Sequence, residues 1–237
     1  MKFLIVISMI CSIVHAKSEW VPKYEKISKS KLNKKVLKSD VTKKSVVKLD
    51  DVSELEELYL KKPKHKNFIK VIKERTLAEK QKAVPTLLKV MRSKKYPSEN
   101  RWVATYMLGR IMGVKSAPLI SKYAAHPNWM LRLASLKVLL HLDQKQYKGI
   151  YARLLEDKSL IVRHQALQNI KKMKLTDLAP YVWKMLYNKK NYVGLKGERK
   201  RSHIIKDAIK VVGDLGFEKA KAPMLKMFQK EKYKDVF

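Results

Sequence analysis

From Phe68 onward, apolar residues fall three and four positions apart in the run FIKVIKERTLAEKQKAVPTLLKVM. That spacing is the period of an α-helix with one buried face. Just upstream, Ser53 precedes Glu54, Glu56 and Glu57, which predicts a short helix with a side-chain cap and acids where the helix dipole favours them. Pro63 stops it. Between residues 17 and 50 no helical stripe is sustained. Lys and Ser dominate there, and the composition predicts a basic, disordered arm.

Beyond Phe68 the pattern repeats. A proline-containing helix start recurs at Pro85, Pro118, Pro180 and Pro223, with Lys148-Gly149-Ile150-Tyr151 filling one place without proline; successive starts are 33, 31, 31 and 43 residues apart. A second helix recurs between them. It carries a small residue followed four later by a large apolar one: Ala104 and Leu108, Ser135 and Leu139, Ala166 and Ile170, Ala208 and Val212. The two landmarks keep one period of about 31 and share one insertion of about 11 residues in the same repeat. A helix pair this short cannot bury its apolar face alone, so neighbours must stack. Proline is tolerated in a first helical turn, where the N–H has no intrahelical partner, and Ser116 and Thr176 are expected to cap such starts.

The second helices, ENRWVATYMLGRIMG, HPNWMLRLASLKVLLHLD and KSLIVRHQALQNIKKM, resemble the second helix of HEAT repeats. In that family's pattern an Asp is followed by Val-Arg, a small residue three later, and then Leu-Gly. Val162-Arg163 with Ala166 is the nearest copy; Leu131-Arg132 with Ser135, and Arg101 with Ala104 and Leu108-Gly109, follow it more loosely. Ile205 stands in the arginine's place in the last repeat. Asn128 and Ser159 occupy the acid's place, where they can cap a helix but form no ion pair. The resemblance implies an all-α fold, a right-handed α-solenoid of about four to five HEAT-like helix pairs. On that reading residues 51–83 are N-terminal capping helices, and 84–237 form the repeat domain with an insert at 188–201. HEAT-like proteins are common scaffolds and adaptors. Others modify phycobilins, hydroxylate a lysine-derived side chain or excise DNA bases, so the resemblance speaks to fold more than to function.

Composition narrows the function classes. Lys2, the apolar run Phe3–Val14 and the Val14-His15-Ala16 site read as a signal peptide cleaved after Ala16, which places the protein in the periplasm or outside the cell. The run is too short for the roughly 20 residues of a spanning helix. Cys11 is the only cysteine and lies within it, so the mature chain would have no thiol for catalysis, zinc or a disulfide. Net charge is +33, carried by 45 Lys and only 9 Arg, which favours diffuse attraction to acidic partners over planar bidentate recognition.

The chemistry-bearing motifs point away from catalysis. The histidines His65, His126, His141, His164 and His203 form no pair at metal-ligand spacing, and residues 101–150 hold one acid, Asp143. No catalytic residue, metal or cofactor is expected. Arg101, Arg132 and Arg163 lie about 60° from the core-facing small residue and are assigned to repeat stacking. The outward positions carry the candidate binding surface: Tyr106, Arg110, Lys137, His141, Lys172 and Lys210, with Lys171 and Lys206 beside them. The insert supplies a second candidate, a recognition loop with Lys189, Lys190, Tyr192, Lys196, Arg199, Lys200 and Arg201. Trp129 and Trp183 are expected to fill space between helices, with Trp102 nearer the outward face. The expected function is non-catalytic binding of a protein partner, and the charge favours an acidic one. The alternatives are electrostatic binding of a polyanion (nucleic acid, anionic lipid or acidic envelope polymer) and, third, a base-excision enzyme.

Overall fold

The computed structural model describes residues 53–63, 66–192 and 203–229. The expected signal segment, the basic arm, and residues Lys196, Arg199, Lys200 and Arg201 of the insert lie outside the described residues. The chain divides into two units at Lys48 and Leu49, and everything described belongs to the second. Its regular structure is entirely helical among the described residues.

Helix α1 (Glu54–Leu60) is followed by two alternating rows. One row comprises α3 (Val84–Arg92), α5 (Ala117–Tyr123), α7 (Lys148–Leu154), α9 (Ala179–Lys184) and α11 (Lys221–Phe228). The other comprises α2 (Lys66–Glu79), α4 (Ser98–Met112), α6 (Trp129–His141), α8 (Leu160–Lys172) and α10 (His203–Asp214). Within the second row each helix packs on the next, α2 on α4, α4 on α6, α6 on α8 and α8 on α10. Helices α3, α5, α7 and α9 each pack on the helix that follows them in the chain.

This arrangement follows from which faces are apolar. Helix α6 buries Leu131, Leu133, Ala134, Ser135, Leu136, Val138 and Leu139, because it has neighbours on both sides as well as a first-row helix beneath. Only a narrow polar strip remains outside. The small residues Ala104, Ser135, Ala166 and Ala208 are fully buried, and Leu108, Leu139, Ile170 and Val212 pack one turn further along. Ser135 can sit there because its hydroxyl donates to the carbonyls of Ile120 and Leu131, so its buried oxygen is satisfied. Gly109 marks the tightest crossing: a Cβ placed on it would lie 2.4 Å from Val138 Cγ1.

Each second-row helix is followed within two residues by one with positive φ: Lys80, Gly113, Asp143, Lys174 and Gly216. A 3₁₀ turn begins at that residue or two positions on and leads into the next first-row helix. The recurring reversal satisfies the last carbonyls of the helix and re-aims the chain.

Capping departs from expectation at several starts. Ser53 accepts from the Glu56 N–H, and Asn128 accepts from the Met130 N–H, as expected. Ser116 does not cap α5; its hydroxyl donates to the Gly113 carbonyl at 2.7 Å. Thr176 caps nothing either, because it already lies inside a 3₁₀ turn. Ser159 leaves the start of α8 uncapped by its side chain, and its own N–H donates to Asp157 Oδ1 at 2.8 Å. Glu56 is buried, where Lys89 and Tyr96 donate to its two oxygens at 2.7 and 2.6 Å. Burial alone would raise its pKa, but the hydrogen bonds from Lys89 and Tyr96 and the nearby lysine charges outweigh it and hold the carboxyl below its ordinary value.

Candidate functional site

The polar strip of the second-row helices centres on an aromatic and cationic cluster. Trp102 and Tyr106, one turn apart on α4, stack nearly parallel with ring centroids 6.0 Å apart. The His141 ring, from the end of α6, lies 6.5 Å from Tyr106. Two ammonium groups sit against these rings. Lys73 from α2 is 5.7 Å from the Trp102 centroid and 6.0 Å from that of Tyr106, and Lys137 from α6 is 5.8 Å from Trp102. Contacts of this kind contribute about 0.5–1 kcal/mol each at exposed sites. They hold the lysine stems over the strip and keep the charges together.

Beside the cluster a shallow hollow of about 580 Å³ opens between α4, α6 and α8, lined by Tyr106, Lys137, His141, Asp143, Gln165 and Lys172. Its one acid, Asp143, faces Lys145 at 3.6 Å. Lys137 and Lys172 form no ion pair with a described residue, so positive potential is left uncompensated there. Four expected residues, Tyr106, Lys137, His141 and Lys172, are thus brought to one place. Lys171 is not available in the same way, since it pairs with Asp214 at 3.6 Å. The neighbouring His164–Asp207 contact at 2.9 Å likewise balances the strip towards α10. Arg110, Lys206 and Lys210 are exposed but do not line the hollow.

The described part of the insert is a hydrogen-bonded turn. Lys189–Asn191 forms a 3₁₀ turn whose Lys190 N–H is held by Asn188 Oδ1. The Tyr192 hydroxyl donates to the Leu186 carbonyl, so its ring is half-buried against the core. Lys189 and Lys190 keep exposed side chains. The turn meets Arg163, which donates to Asn191 Oδ1 at 2.7 Å and to the Lys190 carbonyl at 3.0 Å.

All three periodic arginines are placed at repeat junctions. Arg132 makes a two-pronged contact with Asp157, 2.7 Å on each branch, and donates to the carbonyls of His126 and Pro127. Arg163 reaches the carbonyls of Asp157 and Lys158. Arg101 donates twice to the Met91 carbonyl and meets His126. The acid that pairs with Arg132 is therefore Asp157, two residues ahead of the Ser159 position the motif suggested. Trp129 is 40% exposed, against its expected role as filler, while Trp183 is partly buried and meets Tyr187 edge-on.

Among the described residues no three His, Cys, Asp or Glu side chains are grouped as metal ligands would be, and no helix is long and apolar enough to cross a membrane. Compared with protein-family models the chain matches none, and compared with curated proteins it matches none.

Proposed function

We propose that this protein is an exported, non-catalytic binding protein, a right-handed HEAT-like solenoid whose second-row helices form the contact face for an acidic protein partner. The observation that carries the reading is the uncompensated cationic hollow around Lys137 and Lys172, bordered by the Trp102 and Tyr106 rings. Aromatic rings give rigid contact area at little entropic cost, and the lysines supply attraction and orientation. Stacked repeats suit that task because successive helices align their exposed side chains along one groove.

Position 137 is the place to test it. A photo-crosslinking residue there, in cells expressing the full chain, is expected to trap one or a few discrete polypeptides in the envelope or medium, and Lys172→Glu is expected to abolish those adducts. Adducts that contain only nucleic acid or envelope polymer would reject the protein-partner reading. They would favour the polyanion reading, for which the specific support is the net charge of +33.

A further inference from the structure

A second cationic site lies at the opposite ends of the helices, and the repeat itself shows what is missing from it. Three residues hold equivalent places just ahead of a second-row helix or its counterpart: His126, Asp157 and Asn188. Each accepts the backbone N–H two residues on, His126 Nδ1 from Asn128 at 3.0 Å, Asp157 Oδ1 from Ser159 at 2.8 Å and Asn188 Oδ1 from Lys190 at 3.0 Å. The preceding repeat's arginine points at this residue, 25 positions earlier in the first two cases: Arg132 at Asp157 and Arg101 at His126. In one repeat the guanidinium meets a carboxylate. In the other it meets an imidazole.

The imidazole cannot do the carboxylate's work. Its Nδ1 accepts from Asn128, so a neutral ring carries its proton on Nε2, and Nε2 lies 3.3 Å from Arg101 Nη2, which is also a donor. Moving the proton to Nδ1 only transfers the conflict to the Asn128 N–H. Two donors therefore face one another in either tautomer, with no acceptor between them. Arg101 is itself only 5% exposed and has no carboxylate partner among the described residues, whereas Arg132 has Asp157. A buried cation left without a counter-charge is costly.

These groups open onto a shallow, open cavity of about 310 Å³ lined by Arg92, Arg101, Lys122, Tyr123 and His126. No acid lines it. Arg92 at the end of α3 and Lys122 at the end of α5 are exposed, and neither pairs with a described carboxylate. The Tyr123 ring stacks on His126 with centroids 6.0 Å apart and closes one wall. The volume is at the lower end of the roughly 300–1,000 Å³ of small-molecule sites.

We infer that this cavity is a binding site for a phosphate group, free or carried on a small molecule, whose oxygens accept from Arg101 and His126 Nε2 while Arg92 and Lys122 balance its charge. The ligand supplies, from the cavity, the negative charge that Asp157 supplies in the next repeat. Three cations and an N–H donor without any acid match a dianion with several acceptor oxygens better than a monoanionic carboxylate. The site is separate from the Lys137 hollow and shares no lining residue with it.

The test uses calorimetry on the full chain, with inorganic phosphate, glycerol phosphate and acetate titrated at constant ionic strength. Saturable phosphate binding is expected, at least tenfold tighter than acetate. Tighter binding of glycerol phosphate than of inorganic phosphate assigns the site to an esterified ligand, and the reverse order to the free anion. His126→Asp supplies the missing carboxylate internally, so it is expected to raise Tm in chloride buffer and to weaken phosphate binding at least tenfold. Phosphate affinity equal to wild type in that variant overturns the assignment, as does acetate binding as tightly as phosphate. Should His126→Asp disturb the fold, Lys122→Gln decides, because it alters only an exposed side chain: a loss of about tenfold supports the site, and unchanged affinity rejects it.

Discussion

At Gly109 the side chain is absent because the neighbouring helix occupies its space. Gly213 holds the corresponding place on α10 and meets nothing within 4 Å. The same Gly→Ala change should therefore have opposite effects. Gly109→Ala forces Val138 or the α4–α6 crossing to move and is expected to destabilise by about 1–3 kcal/mol, the range for overpacked cores. Gly213→Ala removes a poor helix former at no steric cost and is expected to stabilise by up to about 1 kcal/mol. Urea unfolding of the two variants reads the contrast, and equal effects would refute the packing argument. His126 gives a pH test at the same scale. Burial, and secondarily the Arg101 charge, lower its pKa from the ordinary 6.5. The unfolded chain then takes up the proton first as pH falls, so the stability from the neutral ring is complete above about 6.5 and is lost below it. His126→Gln should lose less Tm than wild type between pH 7.5 and 5, measured at fixed ionic strength.

Among the elements, the junctions carry the specificity of stacking. Asp157 makes three contacts at one of them: it accepts the Ser159 N–H, binds Arg132 from the preceding repeat, and offers its carbonyl to Arg163 of its own. The Arg132 and Asp157 side chains are 12% and 6% exposed, so the pair is shielded from solvent. Asp157→Ala leaves a buried guanidinium uncompensated and is expected to cost about 3–5 kcal/mol by urea unfolding, far more than an exposed ion pair. The reversals between the rows offer the opposite test. Lys174 holds φ 53° at the end of α8, where L side chains are strained. Lys174→Gly is expected to stabilise by about 1 kcal/mol, read from the same transitions.

Much of this element pattern is legible in the chain. Periodicity exposes the helix pairs and the small crossing residues, because a stripe that must be buried at every repeat leaves a regular trace at Ala104, Ser135, Ala166 and Ala208. The junction chemistry is less legible. Asp157 lies outside the helix it serves, and its partner Arg132 is 25 residues away, so nothing in the local pattern links them. Side-chain competition also hides the caps: Ser116 turns back to Gly113, and Ser159 yields its place to Asp157. For the polar strip, outward spacing picks out Tyr106, Lys137, His141 and Lys172, which line one hollow. It does not reveal that Lys171 is paired with Asp214, which depends on the contact between α8 and α10.

On the scale of the whole molecule, a net charge of +33 makes any acidic partner approach faster, whether or not it has a defined seat. The two contributions separate when charge is removed at equal dose from different places. Lys137→Glu with Lys172→Glu lowers the formal charge by four, to +29, at the hollow. Lys158→Glu with Lys226→Glu lowers it by the same amount at exposed positions that do not line it. Surface changes of this kind usually alter stability by less than about 0.5 kcal/mol, so both variants should fold and be directly comparable. At low salt both should slow association with an acidic partner. At about 0.15 M ionic strength, where screening extends only some 8 Å, the distant pair should bind as wild type while the hollow pair remains at least tenfold weaker. Association and dissociation rates measured on the captured partner distinguish these cases. A common, salt-sensitive fall in association rate for both variants, with dissociation unchanged, would mean that the charge acts as a diffuse field and that the hollow seats nothing.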